Sequence, residues 1–191
     1  MALWEIELSE FDVQYRPRTA IKGQVIMEFT HVEDQGAGEV PQWSIHMDGS
    51  STREAGEASV ILHNPEGDEV ECMVRLDFLT TNNEAEYKAL IIGLDLAKIA
   101  RAENMVVYCN FQVVTSQVNG NYECKNKQMK KYLKQVKDQV NDLQVKFVQV
   151  PREENEHADH LAKAALTEHM LIPSQVLSFV QISPLIDDVS V

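Results

Sequence analysis

Three acids and one amide, far apart along the chain, have the residue types and settings for chemistry. WSIHMD (43–48) alternates as a strand does and ends on Asp48, just before the turn GSS. Asn110 closes the apolar run NMVVYC (104–109), Glu86 falls in the first turn or so of a helix that begins after TTNN, and Asp159 lies in the last helical stretch, REENEHADHLAKAAL. In a sheet covered by helices, functional groups gather where neighbouring strands end and helices begin. If the strands ending at Asp48 and Asn110 are neighbours, those two side chains meet and the two helix acids can come over them. Clustered carboxylates raise one another's pKa unless cations sit among them. Hard divalent ions, Mg²⁺ or Mn²⁺, suit such an oxygen cluster. Two ions about 3.5–4 Å apart can activate a water and stabilise the leaving oxygen of a phosphodiester, with no nucleophilic side chain needed. Asn110 breaks the pattern: it matches aspartate in size but offers one neutral carbonyl oxygen and cannot bridge two ions. The expected result is an intact fold, weaker metal binding and reduced or lost hydrolysis.

Each of these residues also has an ordinary reading. Asp48 before Gly-Ser-Ser suits a turn acid, Glu86 and Asp159 suit solvated helix acids, and Asn110 suits a strand end. Only their joint order along the chain favours a site. His157 and His160, three apart on one helix, read as solvated or hydrogen-bonded histidines, and His46 as a packing residue on the strand face it shares with Asp48.

The elements that must position these groups follow from local pattern. ASVILHN and EVECMVRLDF flank NPEGD, a turn sequence, and so predict a hairpin. Thr81 with Glu84 three residues later is a capping-box signature, and Ala85, Ala89, Ile92, Leu96 and Ala100 mark the stripe of the helix it starts. NMVVYC is apolar on both faces, as a central parallel strand requires. VVTSQVNG predicts a short helix ending at Gly120, and VKFVQV a fifth strand. KQMKKYLKQVKDQV predicts a helix with Met129, Tyr132, Leu133, Val136 and Val140 inward and Lys127, Lys130, Lys131 and Lys134 outward. The order βββαβααβα implies an α/β fold: a five-stranded mixed sheet, three strands antiparallel and then two parallel, with helices on both faces. Residues 43–166 hold this pattern. HVEDQGAGEVPQ (31–42) reads as a linker, and residues 167–191, with two prolines, as a loosely ordered tail.

Composition sets limits on the whole. The 191 residues are 44% hydrophobic and 25% charged, ordinary for a globular protein. No run of 18 apolar residues exists, which speaks against a membrane span, and the acidic, alternating N-terminus is unlike a secretory signal. Cys72, Cys109 and Cys124 lack C-x-x-C spacing and read as buried reduced thiols of an intracellular protein. The net charge of −13 argues against a general nucleic-acid binder. Six lysines between Lys125 and Lys137 nevertheless form a local basic ridge, either the solvated face of a helix or a track for a nucleic-acid backbone.

HMDGSS, TTNNEAEYKAL, YCNFQVV and PREENEHADHLAKAA together resemble, in order and spacing, the four motif blocks of the ribonuclease H (type 1) family. The version most like them is fused to reverse transcriptase in plant Ty3/gypsy-type retrotransposon polyproteins. ELSEFDVQYRPRTAIKGQ, within residues 1–30, resembles the end of the connection region that precedes this domain there. The resemblance implies a ribonuclease H-like fold, two Mg²⁺ or Mn²⁺ ions, an RNA–DNA hybrid as partner and hydrolysis of its RNA strand, by a monomer or within a polyprotein. It assigns Asp48, Glu86 and Asp159 as metal ligands and places Asn110 where the family has a fourth acid. It further implies that Asn82, Asn83 and, more weakly, Gln112 contact the hybrid. Neither His157 nor His160 matches the loop histidine of many members, and Ser59 stands where a glycine is common. Asn110 leaves two alternatives open beside the nuclease: a catalytically dead hybrid-binding module, or an inert fragment of a decayed mobile element.

Overall fold

The computed structural model describes residues 13–15, 41–156, 158 and 176–182. In chain order its elements are β1 (Val13–Tyr15), β2 (Trp43–Ser51), β3 (Gly56–His63), β4 (Glu69–Leu76), α1 (Asn82–Ile99), β5 (Asn104–Cys109), α2 (Gln112–Val118), α3 (Lys127–Val140), β6 (Gln144–Gln149), a 3₁₀ helix (Arg152–Asn155) and β7 (Val176–Gln181). The β3–β4 hairpin turns at Gly67, whose φ of +94° suits glycine, and closes with Asn64 N–H donating to the Asp68 carbonyl at 3.0 Å.

The expected five strands are present with the expected directions: β2, β3 and β4 antiparallel, then β5 and β6 parallel to β2 and to each other. The number five needs correcting, because among the described residues the sheet has seven strands in the order β1-β7-β4-β3-β2-β5-β6. β7 runs parallel to β4 along its outer edge, and β1 pairs antiparallel with β7. Leu177 and Phe179 of β7 are buried in the main core. Part of the stretch expected to be loosely ordered is thus a core strand. Pro173 and Pro184 flank the strand in the sequence and leave its alternation intact. β7 also removes an open edge that β4 would otherwise present.

α1 departs from a simple amphipathic stripe. Thr81 caps it as expected: its hydroxyl accepts from Glu84 N–H at 3.3 Å, and the Glu84 carboxylate accepts from Thr81 N–H at 2.7 Å. Ala85 to Ala97 are all buried, Glu86, Lys88 and Asp95 among them, because one side of α1 lies on β2 and β3 while another meets α3. The α3 contact is partly polar. Gln139 donates to the Asp95 carboxylate at 2.5 Å, and the Lys88 ammonium lies 5.4 Å from the Tyr132 ring centroid. Burial pushes the Asp95 carboxyl up to about 7, against Lys98, Gln139 and Lys88, which pull it down.

The approach of β2 to α1 is closest at Gly49. A Cβ there would stand 2.4 Å from the Ala85 carbonyl carbon and from the Glu86 nitrogen, both backbone atoms. Only glycine lets the strand lie against the first turns of this helix. Beyond Gly49, the Asn82 side-chain oxygen accepts from both Ser51 N–H and the Ser51 hydroxyl at 2.8 Å, tying the helix start to the strand end.

Two stability predictions follow from this packing. Gly49→Ala must push helix and strand apart, so it should cost roughly 1–3 kcal/mol in urea unfolding; unchanged stability would contradict the contact. The ordinary pKa of aspartate is 3.8, and in the folded chain Asp95 stands near 7. Through that window the unfolded chain gives up a proton that the folded chain keeps, so the group's contribution to stability declines as pH rises. Asp95→Asn should therefore flatten the stability profile from pH 4 to 7, and a profile parallel to the parent's would count against the shift.

Candidate functional site

The parallel pairing of β2 with β5 sets Met47 opposite Cys109. The next residues along the two chain segments are Asp48, inside β2, and Asn110, just past the end of β5, so these two lie side by side. β2 does not stop at Asp48 as expected but runs on through Gly49, Ser50 and Ser51, because β3 keeps pairing with it as far as Gly56 opposite Ser51. Asp48 is buried and Asn110 half-buried. Glu86, the fifth residue of α1 and also buried, is brought over them by the Gly49 contact.

The electrostatics show how close the two acids are. The Glu86 carboxyl is raised well above the usual carboxylate range, first by burial, then by the charge of Asp48, with a hydrogen bond between the two carboxyls adding to the shift. A hydrogen bond from Gly49 N–H and the field of the Arg152 guanidinium act the other way. Beside Asn110, burial and then the charge of Glu86 push the Cys109 thiol up to about 12. Cys72, Cys109 and Cys124 are all buried free thiols.

Two buried oxygens at the site, Glu86 Oε2 and Asn110 Oδ1, accept no hydrogen bond. Buried acceptors left without donors are uncommon and call for a partner. Two carboxylates and a carboxamide converging on one place form an all-oxygen donor set that fits a hard divalent ion. Among the described residues no three His, Cys, Asp or Glu side chains stand together as a metal cluster. Asp159, the third acid of the expected set, lies outside the described residues, as do His157 and His160.

The segment leading toward Asp159 is anchored on the same strand ends. Val150 N–H donates to the Cys109 carbonyl at 3.0 Å, and the buried Asn155 side-chain amide donates to the Met47 carbonyl at 2.8 Å. Further on, the Ser59 hydroxyl donates to the Ala158 carbonyl at 2.5 Å. The 3₁₀ turn with Arg152 lies between the first two anchors, which explains how that cation reaches the field of Glu86. Arg152, Asn155 and Gly49 were missed as individual functional residues. Asn155 and Arg152 sit in the quoted block PREENEHADH, yet nothing in their spacing separates them from neighbouring solvated residues.

The residues expected to contact nucleic acid lie on α1, α2 and α3. Asn82 is exposed at the start of α1; with its oxygen taken by Ser51, its amide nitrogen is the group left to offer outward. Asn83 is half-buried beside it, and Gln112 is exposed as the first residue of α2, two residues past Asn110. Lys127, Lys130, Lys131 and Lys134 are exposed on the outer face of α3, while Met129, Tyr132 and Val136 are buried against the core. His46 packs as expected, stacked on Tyr108 with centroids 4.7 Å apart and edge-on to His63.

Comparison with known proteins identifies the family and the fold. Residues 46–165 match a family model described as reverse transcriptase-like. Over 87 residues the chain is 33% identical to the bifunctional protein Rv2228c of Mycobacterium tuberculosis, covering 45% of this chain and only 24% of that protein, so it spans about a quarter of that relative's length. Among solved structures, RNase H1 of Halobacterium salinarum superimposes with a TM-score of 0.62 at 26% identity, over 65% of this chain and 97% of its own. LC11-RNase H1, solved in complex with an RNA/DNA hybrid, does so with a TM-score of 0.58 at 27% identity, over 65% of this chain and 99% of its own. The chain thus belongs to the reverse transcriptase-like family, and its central domain has the ribonuclease H-like fold.

Proposed function

We propose that this chain is a ribonuclease H-type domain that binds RNA–DNA hybrids and whose capacity to hydrolyse the RNA strand is reduced by Asn110. The observation that carries this reading is the burial of Asp48 and Glu86 against each other, with Asn110 alongside at the end of β5 and two acceptor oxygens lacking donors. Asp48, Glu86, Asn110 and Asp159 would hold the divalent ions, Mg²⁺ or Mn²⁺. Such ions supply an activated water and charge stabilisation at the leaving oxygen of a phosphodiester. A bound cation would reverse the local preference of the buried Glu86 carboxyl for its neutral form. Asn110 would contribute one neutral oxygen where a charge is needed to hold the ions tightly.

Asn82, Asn83 and Gln112 would bind the hybrid close to the ligands, with the α3 lysines along its DNA strand. Recognition would depend on groove shape, 2′-hydroxyls and phosphates more than on base edges, so scarce exposed aromatics are no obstacle. The hybrid bound to the similar LC11-RNase H1 supports this choice of partner. Origin in a Ty3/gypsy-type polyprotein is supported by the motif blocks and by the connection-like stretch in residues 1–30. Asn110 favours one further reading, a hybrid-binding module that no longer cuts.

A cleavage assay separates the two. With Mn²⁺ or Mg²⁺ the parent should nick a labelled hybrid slowly or not at all, any cleavage stopping with EDTA. Asn110→Asp should raise the rate on the order of 10²-fold, the scale of restoring one preorganised charge-stabilising group. If both proteins are inert with native circular dichroism, the hydrolase is excluded. Preference for hybrid over duplex DNA in low-salt gel shifts would then identify the binding module, and no preference would exclude that too.

A further inference from the structure

Ser59 is the register partner of Asp48 across β2 and β3, and its side chain is fully buried. Its hydroxyl donates to the Ala158 carbonyl, 99 residues away in the chain. Ala158 immediately precedes Asp159 in the sequence. A second tie runs from the Asn155 amide to the carbonyl of Met47, the residue before Asp48. The segment approaching Asp159 is therefore held at two points, each adjacent to Asp48: one on the same strand and one directly across from it. The sheet face around Ser59 is mixed: Met73 in register on β4 and Ile61 two residues along are buried and apolar, while Asp48 opposite on β2 and Glu57 two residues the other way are buried and acidic. The bond its hydroxyl makes to the Ala158 carbonyl fixes a geometry there, because leaving either partner of a buried hydrogen bond unsatisfied is unfavourable.

We infer that Ser59 is a positioning residue for the divalent-ion site: its bond to Ala158 holds the chain immediately before Asp159 in the sequence against the strand pair that carries Asp48. The inference rests on the function proposed above. Groups that orient metal ligands commonly matter to affinity as well as the ligands themselves. The need is greater here, because Asn110 contributes no charge to hold an ion that is poorly surrounded.

The test uses the full chain and Mn²⁺ alone, with affinity read by water-proton relaxation and stability by thermal unfolding. Ser59→Ala should weaken Mn²⁺ binding by about 10-fold or more, and Ser59→Thr, which keeps the hydroxyl, should recover most of it. Ile61→Val trims the same strand face without touching the hydrogen bond; it should lower Tm yet leave Mn²⁺ affinity unchanged. If Ser59→Ala binds Mn²⁺ as the parent does, losing only thermal stability in the manner of Ile61→Val, the inference is overturned and the proposed function stands. If the parent itself binds no Mn²⁺, both fall.

Discussion

At Gly49 a strand and the beginning of a helix touch backbone to backbone, with no room for even a methyl group between them. The site depends on this contact. It brings the first turns of α1 onto the end of β2, so that Glu86 arrives beside Asp48 with the Gly49 amide donating to it. The capping box at Thr81 and the Asn82–Ser51 hydrogen bonds hold the helix start in the same place. A helix standing a few ångströms further off would admit water between the two carboxylates, and both would behave as ordinary surface acids.

Close approach has an electrostatic consequence that bears on Asn110. Two buried acids in contact resist double ionisation, and they settle the conflict either by keeping a proton or by binding a cation. A fourth acid at position 110 would increase the repulsion without ions and the affinity for them. An amide at that place relieves the repulsion and lowers the attraction together. On the function proposed above, the amide that eases the burial of these groups would also make the site a poorer host for divalent ions. A domain of this kind can lose catalysis before it loses its fold.

The domain also reaches beyond the span that matches its family. The match ends at residue 165, yet β7 begins at Val176 and places Leu177 and Phe179 in the core shared by β2, β4 and α1. Its last residue, Gln181, accepts at its carbonyl from Asp77 N–H at 2.8 Å, where β4 leads into the loop before α1. The added strand closes a sheet edge and steadies the approach to the helix that carries Glu86 and Asn82.

Much of this was legible in the sequence. The NPEGD turn, the Thr81–Glu84 capping pair and the lysine face of 127–140 are short-range patterns, and each formed the element it predicted because local backbone preference and burial agreed. Alternation in WSIHMD also predicted its strand, though pairing with β3 carries that strand on through Ser51. The order of those elements was enough to expect Asp48, Glu86 and Asn110 at the ends of neighbouring elements. Tertiary structure alone decided the rest. Gly49 looks like any turn glycine until α1 lies on it. Asp95 and Lys88 look solvated until α3 covers them. Ser59 and Asn155 find their partners 99 and 108 residues away, and β7 becomes a strand only because β4 offers it an edge. Periodicity reports which face of an element is buried, but it does not report what that face meets.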